Sequence, residues 1–237
     1  MSAKRRLVLL LLAGLLAGVV VWLPASVIAA LLPAGLRCDA LVGSVWNGRC
    51  AGLGLRGSRS GDLSWALGAP SLRPLRLPVQ LTWQRGDSSI VGLVSFSLAG
   101  VEAVRIARAD VSLQTLRDAL PADLALRAVA GLAGRLQGNG VELRLQSGRL
   151  QGVQGRLNLR DKRLLRFDTA LGDFAAELQG NRGRVVDLGG PLQLVGELRL
   201  EADGRYRVDA KVEARAPALR QALGLVKPAE LAIEGRL

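Results

Sequence analysis

Histidine is absent from all 237 residues, and with it goes the commonest general base. Ser-His-Asp and Cys-His nucleophile arrangements are therefore excluded. A metal site would have to be built from carboxylates and two cysteines, Cys38 and Cys50. The acidic residues are scattered without a paired motif, and Ser60, Ser64, Ser88 and Ser89 stand near no recognisable base. This pattern points away from an enzyme, and no cofactor or metal is expected. Arg85-Gly86-Asp87 spells an adhesion tripeptide, but three letters match easily by chance and read here as a hairpin turn.

Aromatic residues are also scarce, at 3%, so aliphatic side chains must build the core. The same shortage bears on the net charge of +12. Clustered cations would suggest phosphate binding, but single-strand binding also needs interleaved stacking residues. The basic residues are 28 arginines and 4 lysines, and after residue 6 they are spread evenly, often alternating with leucine. No nucleic-acid partner is expected. The charge reads as solvated strand faces.

Long hydrophobic stretches are limited to one. Lys4, Arg5 and Arg6 precede a segment with no charge until Arg37. Leu7 to Leu23 spans 17 residues before Pro24, near the lower limit of about 17 for crossing a bilayer core. Trp22 stands where an interfacial anchor belongs, and the basic cluster puts the N-terminus in the cytoplasm. The expected organisation is a cytoplasmic start (1–6), a single transmembrane anchor with a membrane-proximal segment (7–32), and one exported domain (33–237). A cleaved signal peptide ending near Val27-Ile28-Ala29 is the rival, but its apolar stretch would normally be about 7–15 residues. A buried core helix fits poorly with the adjacent basic cluster. Anchor or signal peptide, the remainder is exported.

Export makes "RCDALVGSVWNGRC", residues 37–50, readable. In an oxidising compartment Cys38 and Cys50 can pair, contributing about 2–4 kcal/mol; otherwise they are two small buried hydrophobes. A two-residue turn at Asn47-Gly48 would set Val45 opposite Cys50 and Cys38 near Gly57. That is too far for a bond, so a disulfide requires a different turn or a fold-back around Cys38. Gly43 and Gly48 permit a tight backbone. Trp46 has two readings: a structural corner closing one end of the aliphatic core, or a partner contact, since Trp is enriched at interface hot spots.

From residue 39 onward the period is two. "LSWAL", "LPVQLTW", "IVGLVSFSLAG", "VELRLQSGRLQGVQGRLNLR" and "LQLVGELRLEADGRYRVDAKVEAR" alternate apolar with polar or small residues. Turn signals fall at Arg85-Gly86-Asp87, Gly138-Asn139-Gly140, Asn181-Arg182-Gly183 and, most sharply, Asp203-Gly204. Only "VSLQTLRDALPADL" and "APALRQALGLV" read as short helices. The expected fold is all-β, one antiparallel domain of twelve or more strands, as a sandwich or an open β-groove. The two helices could mark equivalent points of a duplicated unit; recurrence of Gly, Leu and Arg as dominant letters is the plainer explanation. One apolar sheet face must be covered or left as a groove suited to acyl chains.

A basic start, one membrane helix ending in "LPA", "GSVWNG" and then "LSWAL" together resemble the type II secretion system protein N family. That family's segment looks like Gly-Thr-Val-Trp-Ser-Gly. Gly43, Val45, Trp46 and Gly48 match it, with Ser44 and Asn47 as conservative changes. "LGDFAAELQG", "GGPLQLVGELRLEADGRYRVDAKVEAR" and "PALRQALGL" also look like its C-terminal pattern, so the resemblance covers nearly the whole chain. The cysteine pair departs from it. The resemblance implies a non-enzymatic, bitopic inner-membrane protein with a periplasmic β domain. Its expected partners are platform subunits and the outer-membrane secretin. A distant likeness to AsmA-type groove proteins implies the alternative, lipid handling.

Overall fold

Alternating side chains put every apolar residue on one side of a pleated ribbon, and the period-two runs form strands accordingly. The computed structural model describes residues 11–12, 14–15, 18–19, 21–29, 32, 35–55, 57–72, 75–119, 132–146, 149–164, 169–223 and 228–236. A short helix α1 (Ser26–Ala29) precedes β1 (Leu36–Gly43), β2 (Asn47–Leu55), β3 (Ser58–Leu67), β4 (Ser71–Leu72), β5 (Leu75–Arg85), β6 (Ser88–Ser97) and β7 (Gly100–Ser112). Helix α2 (Leu113–Ala119) leads to β8 (Leu132–Gln146), β9 (Arg149–Leu164), β10 (Thr169–Gly180), β11 (Arg182–Asp187), β12 (Leu192–Leu200) and β13 (Arg205–Ala214). Helix α3 (Pro217–Leu223) and β14 (Ala229–Arg236) follow.

All the described strands belong to one 14-stranded sheet in which each strand pairs with its chain neighbour, β4 alone lying off the path beside β5. Every pairing is antiparallel. The sheet is open: β1 and β14 end the path and do not pair with each other. Six strands of the path precede α2, and six more, β8 to β13, precede α3. The two predicted helices thus occupy equivalent topological positions, at the same end of the sheet.

The sheet curls around these helices. Strands β3 and β8 are four ladder steps apart, about 19 Å in a flat sheet. Helix α2, seven residues and so about 10 Å long, touches both. Only a sheet curved toward the helix allows this. Leu113 and Ala119 of α2 are buried, and Ser60 Oγ donates to the Ala119 carbonyl at 2.8 Å, satisfying an otherwise orphaned helix terminus. Leu219 of α3, fully buried, packs with Leu171, Phe174, Leu192 and Ala214 of β10, β12 and β13. In the first half Ala25 and Ile28 join Cys50, Trp65 and Val79 in a second cluster.

Two turn expectations need correction. Gly138-Asn139-Gly140 lies inside β8, where the β8–β9 register shifts between Asn139 and Glu142. A Cβ at Gly138 would crowd Leu157, and Gly140 has φ +64°. The glycines serve a bulge that bends a long strand. Nor is Asn47-Gly48 the first hairpin turn. The closing pair is Gly43–Gly48 and the turn is Ser44-Val45-Trp46-Asn47. The other signals hold, with Gly86-Asp87 between β5 and β6, Asn181 between β10 and β11, and Asp203-Gly204 between β12 and β13.

Among the described residues no helix is long and apolar enough to cross a membrane. Lys4, Arg5 and Arg6 lie outside the described residues, as do ten residues of the expected anchor segment 7–32. Trp22 is described and is 84% exposed.

Candidate functional site: the Trp46 corner and the apolar face

The corner is built by backbone geometry that only its glycines allow. Gly43 has φ +97°, and a Cβ there would collide with the Asn47 carbonyl. Ser44 N–H donates to that carbonyl at 2.9 Å, and Ser44 Oγ accepts from Asn47 N–H at 3.1 Å. A Cβ at Gly48 would fall on the Trp65 ring. With that space open, Trp65 Nε1 donates to the Val45 carbonyl at 3.0 Å, and Leu67 N–H donates to the Trp46 carbonyl at 2.7 Å.

The same corner grips the chain emerging from the N-terminal segment. Val45 N–H donates to Leu23 O and Ala25 N–H to Gly43 O, both at 3.0 Å, with Pro24 bridging Ser44. The family-like residues Gly43, Val45, Trp46 and Gly48 are therefore brought together. Their shared task is to fix the entry of the chain onto the sheet. The tryptophan that closes the core is Trp65, 8% exposed, whereas Trp46 is 38% exposed. This corrects the reading of Trp46 as core. Both sit in apolar alternation, and only the glycine-shaped turn decides which ring faces inward.

Cys38 and Cys50 are joined in a disulfide, their Cα atoms 5.7 Å apart. The four-residue turn sets Leu41, not Val45, opposite Cys50, and Leu53, not Gly57, opposite Cys38. The ladder omits Asp39 and Gly52, and the β2–β3 register shifts between Cys50 and Leu53. Bulges bend strands, and this one brings the sulfurs together where straight strands would not. Asp62 clamps the bulge: its carboxylate accepts from Gly52 N–H at 3.0 Å and from Arg49 at 2.5 Å. The Gly52 bond, then the Arg49 bond, holds the Asp62 carboxyl below its ordinary pKa.

Across the whole sheet one face is apolar without a break. Leu41, Cys50, Leu63, Trp83, Ile90 and Ala109 are successive cross-strand partners from β1 to β7. The row continues through Gly138, Leu157, Ala176, Val185, Gly196, Ala210 and Leu231 to β14. Leu63, Trp83, Ile90, Leu157 and Val185 stay only half-buried, because short helices rather than a second sheet lie over this face. The opposite face pairs Arg156, Glu177, Arg184, Glu197 and Asp209 in turn. A groove of about 1010 Å³ lies on that charged face of β10–β14, lined among others by Glu177, Arg184, Glu197, Arg207 and Lys211. Opposite charges pair along it, as at Arg156–Glu177 and Arg207–Asp209.

Among the described residues no group of three or more Cys, Asp or Glu side chains could hold a metal ion. Lys162 is a half-buried titratable group that the sequence did not flag. Its ammonium lies 4.9 Å from the Phe174 ring centre, and burial lowers its pKa. A single lysine in "LRDKRLL" carries no signal for this. The β9–β10 irregularity next to Gly172 places it there.

Fold and site together define a meander of one open sheet, apolar on one face and charged on the other, tied at one corner to an N-terminal apolar segment. The family description "Type II secretion system (T2SS), protein N" matches residues 34–227. The chain belongs to the type II secretion system protein N family, and so takes part in protein export by that system with other secretion components. No curated protein and no solved structure matches it.

Proposed function

We propose that the chain is a non-enzymatic, single-pass inner-membrane subunit of the type II secretion machine. Residues 1–6 lie in the cytoplasm, the anchor within 7–32, and the β domain of 33–237 in the periplasm, where it scaffolds platform subunits and the secretin. The observation that carries this reading is the open sheet. Among the described strands β14 pairs with β13 alone, so its outer backbone groups can accept a strand from another subunit. Leu231 on that edge is 43% exposed, as a docking position should be. The Trp46 corner is the second contact assigned to a partner, with Gly43, Val45 and Gly48 holding the ring outward.

A second reading, a lipid-handling groove, is favoured by one observation: the unbroken apolar row with half-buried leucines. Photocrosslinking decides between them. A photoreactive residue at Leu231, or at Lys211 beside it on β13, is introduced into the full chain in native membranes. Adducts with secretion subunits support scaffolding. Phospholipid trapped at both positions, with no protein adduct, would replace scaffolding with the groove.

A further inference from the structure

Hairpin tips are normally polar, because Gly, Asn, Asp and Ser suit tight turns and water. The tips at Gly86-Asp87, Asn181 and Asp203-Gly204 obey this. The β6–β7 tip does not: it is Leu98-Ala99, and Leu98 is 88% exposed. The turn is rigidly made. Ser97 Oγ accepts from Ala99 N–H and donates to the Gly100 carbonyl, each at 3.3 Å, so Leu98 is held at the apex. Arg76 pairs with Ser97, which sets Leu75, 46% exposed, beside the tip; Phe96, 37% exposed, lies just behind it.

These side chains stand at the end of the sheet where the N-terminal segment enters. Leu67 pairs with Val79 and bonds the Trp46 carbonyl, so the Trp46 corner is level with Val79. Leu75 is four residues farther along β5, roughly 13 Å at the strand rise. An exposed Trp22 sits directly before the corner. Trp rings seat at the headgroup level of a bilayer, and apolar faces of interfacial elements sink about 5–10 Å below it. Any inclination of the strands to the bilayer normal shortens this projection of about 13 Å toward that range. Arg76, paired with Glu102, and the exposed Arg149 lie behind the tip, where cations meet lipid phosphates.

We infer that the Leu98 hairpin, with Leu75 and Phe96, inserts into the outer leaflet of the membrane that holds the N-terminal segment. This rests on the membrane-anchored reading above. The sheet is then held at two points, the Trp46 corner and the tip, with α2 and α3 at the end away from the lipid. Lipid is already present at this end of the sheet, where the N-terminal segment enters.

The test uses the full chain in native membranes with a photoreactive residue at Leu98 or, as control, at Leu188, 56% exposed at the opposite end of the sheet. Carbonate-resistant membranes are irradiated and adducts read by mass spectrometry. Phospholipid adducts at 98 and none at 188 are expected. A chain that resists carbonate but gives a protein adduct, or no adduct, at 98 overturns the insertion and leaves the anchor standing. A chain extracted by carbonate removes the anchored reading and the insertion with it. A Leu98→Ser variant, which changes an 88% exposed side chain, should give fewer phospholipid adducts from a photoreactive residue at Leu75 on the neighbouring strand; an unchanged yield counts against the tip.

Discussion

Gly48 and Gly86 separate two uses of the same residue. A methyl at Gly48 would enter the Trp65 ring, so Gly48→Ala overpacks the corner and should cost about 1–3 kcal/mol in urea titration. Gly86, with φ +57° and open space around it, should lose only the backbone term, about 1–2 kcal/mol. Asp62 gives a pH signature. Its folded pKa is depressed, so its contribution is complete above the unfolded carboxylate value of about 4 and is lost as pH falls through the folded value. Asp62→Asn should therefore lower the melting temperature more at about pH 7 than near pH 2. Equal lowering at both would show that the clamp is steric. Replacing Cys38 and Cys50 by serine should cost about 3 kcal/mol, as for other short closed loops. At this scale the two cysteines were legible as a pair of alternatives. What decided between them was a bulge at Gly52, which no spacing rule announces.

The short helices act as plugs for a curved sheet. Leu219 is wholly buried among residues from three strands, so Leu219→Ala should cost about 2–5 kcal/mol and loosen the second half of the sheet before the first. Hydrogen exchange read strand by strand would show this as faster exchange in β10 to β13, with β2 to β5 unaffected. Helices α2 and α3 were visible in the sequence because leucine spacing and Pro217 mark them. Their place on the apolar face was not, because a seven-residue helix carries no signal for which strands it will touch. The glycine run at 138–140 shows the converse failure. It has the composition of a turn, yet Gly138 pairs with Ala109 and Leu157 on the neighbouring strands, and pairing resumes beyond the bulge. Tertiary pairing overrides turn chemistry there.

An open sheet has unequal protection from one side to the other. Central strands β7, β8 and β9 have ladders on both sides, whereas β1 and β14 have one. Amide exchange should be slowest in the centre and fastest on β14. Slow exchange on β14 in native membranes but not in the isolated chain would reveal a strand docked there. At this scale the charge of +12 finds its place: arginines and carboxylates alternate on one face and keep it wet, which leaves the other face to lipid, helix or partner.

The sequence by itself determined the β class, the antiparallel hairpins, the two α2 and α3 helices and the family, because alternation and turn residues are local and strands joined by short turns pair with their neighbours. Only the tertiary structure decided that the sheet stays open, that Trp65 rather than Trp46 enters the core, and that Cys38 reaches Cys50. Those outcomes depend on curvature, which accumulates from bulges and helix contacts many strands apart and has no period to read.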